Sequence, residues 1–166
     1  MPSATEPSGA AFERGTPAGL PEVSFRRILV PIDCFGAFDD ALMVAGRVYR
    51  AVGGPLRLIH VRTWEQAARG GGRYFAETSG EATTTLDKAI GEAWAMGLQA
   101  SGVVIEAHRN LIALAVISEA ARWDADVIVV TKRRRRTLGV LLSGSVSDQI
   151  MLEASCPVLV VRRSKP

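Results

Sequence analysis

Short, continuously aliphatic runs alternate along this chain with longer stretches in which apolar residues recur at helical spacing. The strand-like segments fall at Arg27–Asp33, Leu56–Val61, Val103–Ala107, Asp126–Thr131 and Pro157–Arg162. A half-wetted strand alternates apolar and polar residues, whereas a run such as Ile28-Leu29-Val30 suits a strand covered on both faces. Between these segments the 3.6-residue period predicts helices over Asp39–Val52, Glu81–Ala100 and Leu111–Trp123, with a last helix starting at Ser145. Gly53-Gly54-Pro55 should stop the first helix. Asn110 can cap the third, and Ser145 with Asp148 is consistent with a capping box on the last.

Strict alternation of strand and helix predicts an α/β fold, an open doubly wound parallel five-stranded sheet with helices on both faces. The Gly-rich segment from Arg62 to about Gly80 reads as a long loop bearing Trp64, Tyr74 and Phe75. These aromatics are expected to pack in the core or at an interface, a cover over a binding crevice being the alternative. Residues 1–24 show no apolar periodicity and are rich in Pro, Gly, Ala, Ser and Glu, so they read as a flexible leader. The domain then runs from residue 25 to 166, a length that supports one full core and not two.

Composition narrows the function classes. No apolar run approaches the ~20 residues needed to cross a bilayer, and the start of the chain has no secretory signal pattern, so a cytoplasmic protein is expected. Two cysteines, Cys34 and Cys156, make no disulfide framework. Cys34 reads as a small buried side chain near a strand end, a redox role being the alternative. The net charge of +3 comes from one place: without Lys132, Arg133, Arg134, Arg135 and Arg136 it would be negative. Attraction for phosphate should therefore centre on that segment. It lacks interleaved aromatics and is a small footprint, so specific nucleic-acid binding is not expected.

Open doubly wound sheets bind ligands beyond the carboxyl ends of their strands, where strand order reverses. That rule brings together Asp33 and Cys34, His60 and Val61, Val130 and Thr131, and the segment Gly144-Ser145-Val146-Ser147. A helix start offers free N–H groups and the positive end of a dipole, hence an anion site. His60 and His108 each lie near a strand end. No cysteine or carboxylate cluster stands at metal spacing beside them, so a zinc site is not expected. His60 reads as structural, and the spacing of His108 and Asp33 gives no support to a catalytic dyad.

Several segments resemble the universal stress protein family. Ile28-Leu29-Val30-Pro31-Ile32-Asp33 looks like its opening strand, Leu58-Ile59-His60-Val61 its second, and Ala125-Asp126-Val127-Ile128-Val129-Val130 its fourth. Leu141-Leu142-Ser143-Gly144-Ser145-Val146-Ser147, followed by Cys156-Pro157-Val158-Leu159-Val160-Val161-Arg162, is close to its C-terminal signature. The resemblance implies a Rossmann-like, adenine nucleotide alpha hydrolase-like fold. It also implies a stress-response regulator that binds ATP or another adenine nucleotide and is not primarily an enzyme. Magnesium could accompany the nucleotide. The resemblance places Asp33 on the adenosine portion, Val61 on the base, and Gly144, Ser145, Val146 and Ser147 on phosphate or ribose. Pro31, Val130, Thr131 and Arg134 complete the implied lining. A homodimer through the last strand, Val158–Val161, is implied as well.

The chain departs from the family's Gly-x-x-Gly half-motif, because those two positions hold Thr131 and Arg134. Glycine permits close backbone approach and positive φ, which threonine and arginine resist. The loop should either take a different path or accept strain. Arginine and lysine side chains could replace the lost backbone cradle. The alternative is a dimeric interaction module without a nucleotide, its basic loop touching another phosphate ligand or nucleic acid.

Overall fold

A computed structural model describes residues 25–32, 38–132 and 146–162. Strands β1 (Ile28–Ile32), β2 (Leu56–Gln66), β3 (Arg73–Phe75), β4 (Ala100–His108), β5 (Val127–Lys132) and β6 (Val158–Arg162) form one sheet. Helices are α1 (Phe38–Val52), α2 (Ser79–Ala95), α3 (Ile112–Trp123) and α4 (Val146–Glu153). Five strands are parallel in the spatial order β4-β2-β1-β5-β6, so strand order reverses at β1, as expected for a doubly wound sheet.

β1 sits at the centre because both of its faces are apolar. Ile28, Val30 and Ile32 pack with Leu56, Leu58, Val127 and Val129 beneath α1 and α2. Leu29 packs with Ile59, Ile128 and Val130 beneath α3 and α4. Each such buried aliphatic side chain stabilises the fold by about 1.5–3 kcal/mol. Asp126 fixes the entry to this strand, its Oδ2 accepting from the N–H groups of Arg26 (2.9 Å) and Arg27 (2.8 Å).

Two differences from the sequence reading bear on the site. The expected loop after β2 is largely strand: β2 continues to Gln66 and β3 returns antiparallel, pairing Trp64 with Phe75, Glu65 with Tyr74 and Gln66 with Arg73. β4 accompanies β2 along its other edge as far as Trp64–His108, so the polar residues after Val61 are held extended by neighbours on both sides. The second difference is α2, which starts at Ser79 with a capping box. Thr78 Oγ1 accepts from Glu81 N–H, and the Glu81 carboxylate accepts from Thr78 N–H. It ends at Ala95, not Ala100, because Gly97 takes φ +75° and Leu98 N–H turns back to the Ala93 carbonyl. That stop releases Ala100 into β4. Asn110 caps nothing: Nδ1 of His108 accepts its N–H in a short 3-10 turn before α3.

One ionic group is built into the fold. The Glu119 carboxylate on α3, only 3 % exposed, accepts from Arg57 Nε on β2 (2.6 Å) and from Arg122 Nε (2.7 Å) and Nη2 (2.6 Å). Burial pushes its pKa up, but the two guanidinium groups outweigh burial and hold it below the ordinary carboxylate value. A lowered folded pKa contributes stability that is present above the unfolded value and lost as pH falls through the folded one. Glu119→Gln is expected to cost about 2 kcal/mol at pH 7. Urea titrations at pH 7 and pH 3 should show that deficit shrinking in acid; an equal deficit at both would mean that the carboxylate charge is immaterial.

Candidate functional site

Side chains alternate across a strand, so each strand divides its residues between the two faces. Continuous pairing of β2 with β4 puts Ile59, Val61, Thr63 and Glu65 on the α3/α4 side. His60, Arg62 and Trp64 lie on the α1/α2 side. The same rule sets Pro31 of β1, level with Ile59, and Val130 of β5 on the same face as Val61. Val61, Val130 and Val146 pack on one apolar cluster, Val130 being buried at 6 % exposure. The face on which a switch-point crevice is expected is therefore apolar at Pro31, Val61 and Val130, and Val146 in the first turn of α4 packs on the same cluster as the two valines. Asp33, Arg134, Gly144 and Ser145 lie outside the described residues, as do Cys34 and Arg133, Arg135 and Arg136.

Thr131 occupies the first glycine position of the half-motif without strain. It is an extended residue of β5 paired with Val161, and Asp124 is the only described non-glycine residue with positive φ. The strand simply continues to Lys132, which pairs with Arg162. By alternation Thr131 faces the α1 side, away from Val130. The Lys132 ammonium lies 2.7 Å from Asp148 Oδ1, tying the end of β5 to the first turn of α4. Ser147 is buried in that turn, at 5 % exposure.

The opposite face holds a second polar group that sequence reasoning did not assemble. His60 is 2 % exposed, and its Nε2 lies 2.7 Å from Glu77 Oε1. Its Nδ1 has no partner among the described residues. Arg62 Nε donates to the Glu77 carbonyl (3.0 Å) and Nη1 to Glu106 Oε1, while its guanidinium lies 3.7 Å from the centre of the Phe75 ring. Arg73 covers Trp64 at 4.3 Å, and Trp64 meets His108 edge-on at 4.9 Å. These contacts fasten the β2–β3 arm to the sheet. His60 is buried against Glu77, and Trp64 and Phe75 pack against charged side chains of the arm rather than in the aliphatic core. The period-2 parity of an extended β2 was the one signal that could have grouped them.

On the crevice face the arm carries Glu65, which accepts from Arg109 Nη1 (2.8 Å) and Tyr74 Oη (3.0 Å). The Arg109 hydrogen bond lowers the Glu65 pKa, and the same carboxylate raises those of Tyr74 and Arg109. Cys156 is half-buried, and burial pushes its thiol pKa up, which suits an inert side chain. Among the described residues no three His, Cys, Asp or Glu side chains are placed to share a metal ion. None of the described helices is long and apolar enough to cross a membrane. A shallow cavity of about 480 Å³ opens at the amino ends of the strands, lined by Pro55, Trp94, Leu98 and Ala100 among others. Among the described residues no charged one lines it.

The fold is that of a doubly wound α/β domain whose strand order reverses at β1. The universal stress protein family model matches residues 24–162, and the chain belongs to that family. Solved structures agree on the fold. The universal stress protein from Archaeoglobus fulgidus in complex with dAMP superposes with a TM-score of 0.61 at 23% identity, covering 82% of this chain and 98% of that one. A universal stress protein in complex with cAMP gives 0.65 at 20%, covering 85% and 99%. A family member from Arabidopsis thaliana with AMP bound gives 0.61 at 15%, covering 84% and 92%. No curated protein matches the chain significantly.

The arm yields a test. Glu77→Ala removes the partner of a buried imidazole and is expected to cost about 1–3 kcal/mol. Hydrogen exchange should accelerate across residues 67–77 more than in β5. Uniform acceleration throughout the sheet would show that Glu77 supports the whole fold and not the arm.

Proposed function

We propose that this protein binds an adenine nucleotide in the crevice on the α3/α4 face, as a regulator and without a catalytic step. One observation carries the reading: Val61, Val130 and Val146 at the start of α4 pack on one apolar cluster, with Pro31 level with Ile59 on the same face, where strand order reverses. A flat, largely apolar base suits that face, and phosphate suits the end where Gly144 and Ser145 precede α4 and Arg134 follows β5. Relatives of the same fold are complexes with dAMP, cAMP and AMP, which supports an adenine ligand here. ATP with magnesium belongs to the same proposal. Thr131 in place of glycine favours a second reading, a family member that works through its surface without a nucleotide.

Calorimetry with AMP, ADP, ATP and cyclic AMP separates the two. Binding to at least one, weakened about tenfold by Arg134→Glu, is the expected outcome. Absence of heat for all four at micromolar protein would leave only the second reading.

The proposal includes a homodimer through β6. That strand ends the sheet path next to β5, and Leu159 on it is 38 % exposed. An exposed apolar edge is a liability unless another chain covers it. Light scattering is expected to give a dimer for the natural sequence and a monomer for Leu159→Arg. A monomeric natural protein, or a dimer that survives the substitution, would exclude this interface.

A further inference from the structure

Trp94 lies in the last turn of α2 and is 63 % exposed, yet its indole is held, because Nε1–H donates to the Ala100 carbonyl at 2.9 Å. That carbonyl points away from the sheet. The Gln99 carbonyl accepts from Leu56 N–H on β2, so the next residue turns its own backbone groups to the outer edge of β4. The ring is therefore fixed at a corner of the sheet, where it lines the shallow cavity of about 480 Å³ together with Pro55, Leu98 and Ala100. A pre-ordered aromatic surface gains apolar contact at little cost in side-chain entropy.

The described chain begins beside that corner. Phe25 packs on the cluster that contains Leu98, and Ile28 N–H donates to the Pro55 carbonyl at 3.2 Å, so the entry to β1 touches two residues that line the cavity. Only β2 separates β1 from β4, a distance of roughly 10 Å. Leu20 stands five residues before Phe25, and five residues reach about 17 Å when extended. Leu20 and Pro21 precede the stretch matched by the family, which starts at residue 24, so their role is particular to this chain. From Gly15 to Pro21 the sequence carries no charge, which complements a cavity with no charge in its described lining. Pro21 fixes its own φ and biases Leu20 to an extended backbone, so ordering this dipeptide costs less than ordering an ordinary pair. We propose that Leu20 and Pro21 occupy the cavity against Trp94 of the same molecule, anchoring the N-terminal segment at the amino ends of the strands.

Nuclear Overhauser contacts to the Trp94 indole test this in the full chain, with the ring resonances assigned by comparison with Trp94→Phe. Contacts from the Leu20 methyl groups and the Pro21 ring are expected in the natural protein. In Leu20→Ser the Pro21 contacts should be lost, the Trp94 Nε1–H resonance should shift, and its exchange with solvent should accelerate, while the Trp64 and Trp123 indoles stay unchanged. Absence of any contact from Leu20 or Pro21 in the natural protein would overturn the proposal. An unaltered Trp94 indole in Leu20→Ser would do the same. A mixture of isotope-labelled and unlabelled protein separates the remaining case: contacts found between different molecules would assign the cavity to a second copy and overturn the intramolecular anchor.

Discussion

A strand covered on both faces and paired on both edges has no water to satisfy its backbone, so every N–H and C=O must find a partner within the sheet. β1 is in that position, with β2 on one side, β5 on the other and an aliphatic layer above and below. Its register sets theirs. Ile28 is level with both Leu56 and Val127, which brings the carboxyl ends of β1, β2 and β5 to one edge of the molecule. Strand order runs outward from β1 in both directions, which is where a doubly wound sheet is expected to receive a ligand. The carboxylate of Asp126, which binds the amides of Arg26 and Arg27, secures the start of that strand.

β2 divides the labour. Its residues directed to α1 and α2 beyond the core, His60, Arg62 and Trp64, hold the arm through Glu77, Phe75 and Arg73. Those on the other side, Ile59 and Val61, join the apolar layer beneath α3 and α4. A one-residue slip of β2 would exchange the two sets, placing a buried imidazole against that apolar layer and Val61 against Glu77. The polar fastening of the arm and the apolar layer are thus consequences of one register.

Much of this was legible in the sequence for physical reasons. Ile28-Leu29-Val30 and Val127–Val130 are apolar without alternation, which only a doubly covered strand allows. Gly53 and Gly54, at φ +72° and +102°, end α1 where the sequence reading expected; a side chain at Gly54 would strike the Arg26 carbonyl. Val61, Val130 and Val146 could be grouped because the topological rule needs only strand ends, whereas Pro31 entered through the resemblance and the rule also drew in His60 and Thr131, which alternation puts on the other face. The arm was not legible. Residues 62–66 are Arg-Thr-Trp-Glu-Gln, and they are extended because β3 and β4 flank them, a tertiary cause with no local signature. Glu77, seventeen residues from His60, has nothing nearby in the sequence to mark it as that residue's partner. Thr131 suggested strain by comparison with glycine, and the strand absorbed it by continuing.

The central claim is that nucleotide occupies the α3/α4 face and not the face of His60. Backbone amide resonances followed by heteronuclear NMR during an AMP titration test it most directly. Shifts are expected to concentrate at Val61, Thr63, Val130, Val146 and Ser147, with His60 and Trp94 little changed. Shifts clustered at Trp94, Gly97 and Ala100, or no shifts at saturating AMP, would contradict it.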